Sequence, residues 1–378
     1  MKILQITPYY KPAYLYGGPI ESVSKLCEGL VLDGHEVHVF TTTANGESEL
    51  PVEHNKIIDV NGVQVIYFSR ITKDPTNMSP KLWKHLYKHV DSYDIVHVQT
   101  WWNFLAVIAT CICHFKRARV IVSPRGMLSN YIFNSGRSLS KKIIHYTIGK
   151  IALAKTYFHA TAVAEYDECR DVIKGWDGFV LPNILTLPNI PIQKQVNSTF
   201  SMIFMSRIHP KKGLEILFEA ISTLDIPIIL KIAGSGDEVY IEQLKNLAAE
   251  LKITEKIMWI GWLNRDEKFR ELMASDLFVL VSLNENFANV VIESLHMGTP
   301  VLLSNDVGLS SFVKQNNLGW LSTLDVIDVA NKIIAAYSDE AKRRNINEHG
   351  RKQIDFHFSA EKLIKEYAAE YQKISSIN

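Results

Sequence analysis

The sequence predicts an α/β protein built from two doubly wound, parallel-sheet domains. Three observations carry this. Short β-branched runs alternate with amphipathic helical patterns from end to end, the signature of parallel α/β layering. The 378 residues exceed what one core comfortably organises, since domains run to about 150 residues. Finally LPNILTLPNIPIQKQVNST, residues 181–199, has three prolines among Asn, Ser and Thr and suits neither helix nor strand, so it reads as a connection. The expected domains are 1–185 and 200–357, with 186–199 as linker.

In chain order, the first half offers the strands KILQIT, EVHVFTT, VQVIYFS, DIVHVQ, RVIVSP, TYFHAT and FVLP. Each is a short apolar, β-branched run of the kind buried in a parallel sheet. Helical spacing lies between them near 19–32, 80–90, 102–115, 137–154 and 163–173. The second half offers SMIFMS, PIILKIAG, KIMWIG, DLFVLVS and PVLLS, with helices near 211–223, 237–251, 265–273, 289–297, 325–337 and 339–348. The tail FSAEKLIKEYAAEYQKI spaces apolar residues at 358, 363, 364, 367 and 368 as a last helix. Ligands of such sheets bind outside the carboxyl ends of the strands, so two facing halves would create a cleft.

Bulk composition excludes several classes. Lys+Arg number 41 and Asp+Glu 40, which leaves no global field for nucleic acid. Apolar content of 47% excludes extended disorder. Four cysteines (Cys27, Cys111, Cys113 and Cys169) are too few for a disulfide scaffold in this length and read as reduced thiols. MKILQI reads as a first strand rather than a secretory leader, and no apolar segment approaches the roughly 20 residues that span a bilayer. The expectation is a cytoplasmic protein.

Four stretches at strand ends carry chemistry. In YGGPIESV, Gly17 and Gly18 let a phosphate or sugar approach backbone, and Pro19 suits the first turn of a helix whose N–H groups and dipole favour anions; a loop that merely needs to turn reads equally well. GxGxxG is missing here, and the GSG beginning at Gly234 falls short of it. In SRIHPKKGLEIL, Arg207 and Lys212 suit a diphosphate, against the helix-dipole preference for anions at that position. In NENFANVVIES, Glu285 and Glu293 bracket a turn and the first part of a helix. Backbone N–H groups near Phe287, Ala288 and Asn289 would hold a phosphate, while the two acids would accept hydrogen bonds from sugar hydroxyls. In RVIVSPRGMLSNY, Arg125 and Gly126 follow the fifth strand and would face the cleft from the opposite wall, with Arg125 a candidate catalytic residue; a loop arginine paired with a local carboxylate is the competing reading. The helix SPKLWKHLYKHV gathers Lys81, Lys84, His85, Lys88 and His89 opposite Leu82, Leu86 and Val90. It fits either a solvated helix packed on its sheet or a basic surface against an anionic membrane. His97, in DIVHVQ, fits a core histidine or a cleft residue.

Glycines 17 and 18, R-x4-K at 207–212 and E-N-F-x-N-x3-E at 285–293 followed by GTPVLLS together resemble retaining family 4 glycosyltransferases (glycosyl transferases group 1) of the GT-B fold, two Rossmann-like domains facing across a cleft. The likeness extends over YDIVHVQTWW, HATAVAE and a final helix, 358–378, of the kind that packs back on the first domain. It implies that Arg207 and Lys212 hold the donor diphosphate and Glu293 the ribose. Glu285 and the backbone of Asn286, Phe287, Ala288 and Asn289 would hold the donor sugar, and Gly18 would approach the diphosphate. Main chain near Leu263 would lie along the base, and Gly17 and Gly234 complete the donor set. Ala288 stands where the family usually has Gly, and Arg125 where many members have His, so a His-assisted mechanism does not transfer. With no Asp-x-Asp at a strand end, the expectation is metal-independent hexosyl transfer with no cofactor beyond the nucleotide-sugar donor. The acceptor would be a saccharide or lipid-linked saccharide of cell-surface polysaccharide synthesis, which leaves peripheral contact with the inner membrane face open. A GT-B sugar-nucleotide 2-epimerase and a non-catalytic nucleotide-sugar-binding protein are the alternatives.

Overall fold

A computed structural model describes the chain apart from residues 47, 130, 133–144, 195–197 and 378 and the side chain at 16. It divides into two compact units: Met1–Thr186 with Phe358–Asn378, and Leu187–His357.

The first unit is built on β1 (Lys2–Ile6), β2 (Glu36–Thr42), β5 (Ile57–Val60), β6 (Val63–Phe68), β7 (Ile95–Gln99), β8 (Val120–Ser123), β9 (Tyr157–Ala160) and β10 (Gly178–Val180); β3 (Ala44–Asn45) and β4 (Ser48–Glu49) form a separate hairpin. The sheet order is β10-β9-β8-β7-β1-β2-β6-β5. It is parallel except at β5, which pairs antiparallel with β6. Helices α1 (Gly18–Leu32), α2 (Pro80–His89), α3 (Phe104–Phe115), α4 (Lys150–Leu153) and α5 (Val163–Val172) cover its faces. The expected helix at 137–154 lies partly outside the described residues, and its described end is a π-helical turn at His145–Gly149 running into α4. The C-terminal helix (Ala360–Ser375) belongs to this unit and buries Leu363, Tyr367, Tyr371 and Ile374. It comes so close to α1 that a Cβ on Gly29 would stand 2.2 Å from the Ile364 side chain.

A chain of buried polar groups runs through this unit, and its donors can be assigned from one end. The Leu181 carbonyl can only accept, so His159 Nε2, 2.8 Å away, carries the proton and Nδ1 is the acceptor. Ser123 Oγ–H therefore donates to His159 Nδ1 (2.7 Å) and accepts from His97 Nε2–H (2.6 Å). The Tyr371 hydroxyl then donates to His97 Nδ1 (2.5 Å) and accepts from Gln5 Nε2 (3.1 Å). Gln5 Oε1 accepts from Gln99 Nε2 (2.9 Å), and Gln99 Oε1 from Arg125 Nε (2.9 Å). Both histidines must be neutral for this order to hold. Burial acts the same way: it holds His97 well below the ordinary imidazole range and lowers His159 to about 3. His97 is thus a core residue, 0% exposed.

This arrangement sets a pH dependence. The folded pKa values lie below the unfolded value near 6.5, so below that pH the unfolded chain binds protons that the fold refuses. Stability is fully present above about 6.5 and is lost as pH falls toward each folded pKa, by at most about 1.4 kcal/mol per pH unit for each histidine. Urea midpoints measured at pH 7.5 and 5.0 should differ, the acid sample being weaker by up to about 4 kcal/mol if both contribute fully. Equal midpoints would show that the two imidazoles are not held neutral.

The second unit is built on β11 (Phe200–Met205), β12 (Ile228–Ala233), β13 (Ile257–Gly261), β14 (Leu277–Leu280), β15 (Val301–Ser304) and β16 (Gly319–Ser322). They form one sheet, parallel throughout, in the order β13-β12-β11-β14-β15-β16. Around it lie α6 (Leu214–Ser222), α7 (Glu238–Glu250), α8 (Arg265–Ala274), α9 (Asn289–His296), α10 (Ser310–Gln315), α11 (Val326–Ser338) and α12 (Glu340–His357). Side-chain caps start several helices: Asp237 for α7, Asp325 for α11, and Asn264 for α8 with Glu267 completing a capping box.

Two expectations need correcting here. The helix placed at 339–348 runs on to His357, because Gly350 lets it lie against the Leu295 carbonyl of α9 rather than ending it. The stretch read as a linker, 186–199, belongs in its described residues to the second unit from Leu187. Pro188 O accepts from His296 Nε2, Ile190 O accepts from Arg351 Nη1, and the Lys194 ammonium donates to Ser275 O at 3.0 Å.

Candidate functional site

Each sheet reverses its winding at one gap, between β1 and β7 in the first unit and between β11 and β14 in the second. Crevices at such points, at the strand carboxyl ends, are where open α/β sheets take ligands. In the second unit the segments after β11 and β14 are 206–213 and 281–289, which hold Arg207, Lys212, Glu285 and Asn286 to Asn289.

Backbone contacts build the first bank. Ser206 N donates to Ala233 O, Ile208 N donates to Ser235 O, and Ile208 bridges Gly236. Gly234 and Gly236 permit this approach: a Cβ would lie 1.9 Å from Ser206 O at the first and 2.1 Å from Ile208 O at the second. Gly234 is therefore a steric support of the Arg207 loop. Arg207 is exposed and makes no side-chain hydrogen bond or ion pair among the described residues. A 3-10 turn, Pro210–Lys212, follows, capped by His209 Nδ1 accepting from Lys211 N at 3.1 Å. Burial lowers the His209 pKa first, with Arg207, Lys211 and Lys212 adding their repulsion. The cations are thus concentrated within a few residues. Gly213 closes the turn at φ 68°.

On the facing bank, Glu285 lies five residues beyond the end of β14 (residue 280) rather than at the strand tip. Its backbone is fixed on both sides, N–H to Asp306 O (3.0 Å) and O from Gly308 N (2.8 Å), and its Oε2 is paired with Lys212 Nζ. Phe287 is buried at 3% exposure and anchors the turn, while Asn286, Ala288 and Asn289 stay half-buried. Ala288 sits at φ 66° as the residue before α9 and offers no side-chain cap. That conformation favours glycine. Ala288→Gly should remove a strain of about 1–2 kcal/mol, against a chain-entropy cost of roughly 0.5–1 kcal/mol. The expected result in urea unfolding is a small net stabilisation; a clear loss of stability would place the strain elsewhere.

Glu293, one turn into α9, is 3% exposed and pairs through Oε1 with Lys268 Nζ of α8 at 2.5 Å. Sequence reasoning missed Lys268, because nothing in its spacing ties it to residue 293. Leu263 is half-buried immediately before α8, and Gly261 O accepts from Gly234 N at 2.8 Å. The ends of β12 and β13, the start of α8 and Glu293 therefore form one neighbourhood within the second unit.

The remaining expected residues belong to the first unit. Gly17 is exposed, with φ 69° and ψ −140°, a region essentially restricted to glycine, and Gly18 opens α1 with Pro19 in its first turn. Arg125 follows β8 at φ 52°, and Thr100 follows the neighbouring β7 at φ 71°. A β-branched residue there is a true outlier, and such outliers gather at functional sites. Among the described residues, no group of three or more His, Cys, Asp or Glu side chains is arranged to hold a metal ion, and no helix is long and apolar enough to cross a membrane.

Residues 189–353 match the family Glycosyl transferases group 1, and residues 16–174 match Glycosyltransferase Family 4. An uncharacterized glycosyltransferase of Methanocaldococcus jannaschii is 25% identical, over 98% of both chains. The lipopolysaccharide core biosynthesis glycosyltransferase LpsE of Rhizobium meliloti is 29% identical over 43% of this chain and 47% of that protein. Among solved structures, sucrose-phosphate synthase from Thermosynechococcus elongatus superposes with a TM-score of 0.76 at 20% identity, covering 99% of this chain and 98% of that one. Anabaena HepE in complex with UDP-glucose gives 0.75 at 17% identity, covering 99% and 100%. The shared fold is GT-B.

Proposed function

We propose, from the premise that this chain is a glycosyltransferase of the GT-B fold, that it moves a hexose from a nucleoside-diphosphate sugar to a hydroxyl of a saccharide or lipid-linked saccharide, with retention and without a metal. One observation carries the reading: two lysine–glutamate ion pairs, Lys212–Glu285 and Lys268–Glu293, lie on the segments flanking the β11/β14 winding reversal of the second unit, where a ligand of this sheet belongs. HepE, of the same fold, is in complex with UDP-glucose, which makes UDP the first nucleotide to try.

Arg207 and Lys212 would carry the two phosphates, the guanidinium as a fork and the ammonium as a point charge. Lys212 is paired with Glu285, so donor binding would exchange partners: phosphate takes the lysine, and sugar hydroxyls take the acid. Glu293, held by Lys268, would accept from the ribose hydroxyls. In the transfer, the bond from the anomeric carbon to phosphate oxygen breaks as the acceptor oxygen bonds to that carbon on the same face. The acceptor proton passes to the departing phosphate. Positioning and charge stabilisation would supply the catalysis, with the two cations providing the charge that a metal would otherwise bring to the diphosphate.

Membrane contact, if the acceptor is lipid-linked, would be electrostatic. Leu82, Leu86 and Val90 are spent in the core of the first unit, leaving Lys81, Lys84, Lys88 and His89 exposed. The proposal is tested by thermal shift against nucleoside diphosphates, then by nucleotide release with added saccharides and the anomeric configuration of the product. Binding without release would indicate a binding protein, and an epimerised sugar nucleotide would indicate a 2-epimerase.

A further inference from the structure

The guanidinium of Arg125 is held in a setting that the donor reading does not use. Three neutral oxygens from three separate segments fix it: Gln99 Oε1 at the end of β7 accepts from Nε (2.9 Å), while Ser22 Oγ of α1 (3.3 Å) and Asn183 Oδ1 beyond β10 (3.2 Å) accept from Nη1. Those acceptors are themselves committed. Ser22 Oγ–H donates to Pro19 O, and Gln99 is turned by its bond to Gln5. The loop beneath is pinned as well, because Gly126 N donates to Glu165 Oε1 at 2.6 Å. Glu165 is the acid whose field reaches Arg125, yet its other oxygen is engaged by Thr161 N and Oγ1, and no ion pair joins the two. His97 and His159 are held neutral by burial.

The outcome is a half-buried cation, with no carboxylate in contact among the described residues, beside the β1/β7 winding reversal of the first unit. A partly desolvated charge without a partner is costly, and a strained φ at the same residue adds to that cost. A fork whose Nε and Nη1 are fixed, with Nη2 making no hydrogen bond among the described residues, is pre-organised for an oxyanion.

We infer that Arg125, set by Gln99, Ser22 and Asn183, forms an anion-binding site of the first unit that takes a phosphate or carboxylate carried by the acceptor. The inference rests on the glycosyl-transfer reading only for the word acceptor. It narrows the acceptor class to saccharides bearing an anionic group.

The test uses the whole chain, UDP and inorganic phosphate. Phosphate is titrated, with phosphorus NMR as readout, into protein saturated with UDP, and UDP affinity is measured separately. Arg125→Gln should weaken phosphate binding at least tenfold and leave UDP affinity unchanged, whereas Arg207→Ala should do the reverse. Arg125→Lys keeps the charge without the fork and should fall between, which preserves the test should the Gln variant fail to fold. Phosphate binding that ignores Arg125, or is absent from the native chain, overturns the inference. So does equal weakening of UDP and phosphate, which would give this guanidinium to the donor diphosphate. If UDP does not bind but phosphate binding still depends on Arg125, the nucleotide-sugar reading fails and this site stands.

Discussion

Arg207→Ala is expected to lower kcat/KM by roughly a hundred- to a thousand-fold, the loss of about 2.7–4 kcal/mol associated with removing one preorganised donor from a developing oxyanion. The side chain is exposed and carries no ion pair among the described residues, so little stability depends on it. The loop is held by backbone, through Ile208 and Gly236 on one side and Ser206 on the other. A loss of activity would therefore report on charge at the departing phosphate rather than on unfolding. The comparison with Lys212 sharpens this. Lys212 also neutralises Glu285, so its removal leaves an acid unpaired and should disturb both binding and stability. For Arg207→Ala, unchanged urea unfolding together with a collapsed kcat/KM is the expected pair of results. Near-normal turnover with a donor that binds would remove Arg207 from the site.

The strands that matter for this argument could be read from the sequence because a buried parallel sheet needs uninterrupted apolar runs, and VLLS or IVHVQ is hard to read otherwise. The elements missed are the ones without that signature. β5, IIDV, is a short antiparallel edge strand with mixed exposure, and β16, GWLS, is four residues long and starts on a glycine. Arg207, Lys212, Glu285 and Glu293 could be named because each lies on a segment leaving a predicted strand. Their pairings could not, since Lys212 and Glu285 are 73 positions apart and meet only through the order in which the strands assemble. The Gln5–Tyr371 link spans 366 positions. For the same reason, the sequence offers Arg125 either a place facing the cleft or a local carboxylate partner, while the fold gives it three neutral partners from distant segments.

Gly213→Ala should be strongly damaging to the second unit and to the Lys212 turn, and two independent terms say so. At φ 68° an added Cβ meets left-handed strain, about 1–2 kcal/mol. The same Cβ would stand 2.2 Å from the carbonyl oxygen of Val281, a backbone atom that cannot rotate aside. Relief requires the 3-10 turn 210–212 to move off the end of β14, and Leu283 N, which donates to Lys211 O at 2.9 Å, moves with it. Lys212 and Glu285 ride on the two parts being separated. Urea unfolding should therefore show a loss of more than about 2 kcal/mol, with a fall in kcat/KM beyond what stability explains. Gly34→Ala, just after α1, is the control: its φ is positive, 85°, but nothing lies within 4 Å of the new Cβ, so it should show a torsional term without the clash. Ala288→Gly runs the torsional argument with the sign reversed. If Gly213→Ala proves no worse than Gly34→Ala, the close packing of the Lys212 turn against Val281 is wrong, and the placement of that cation falls with it.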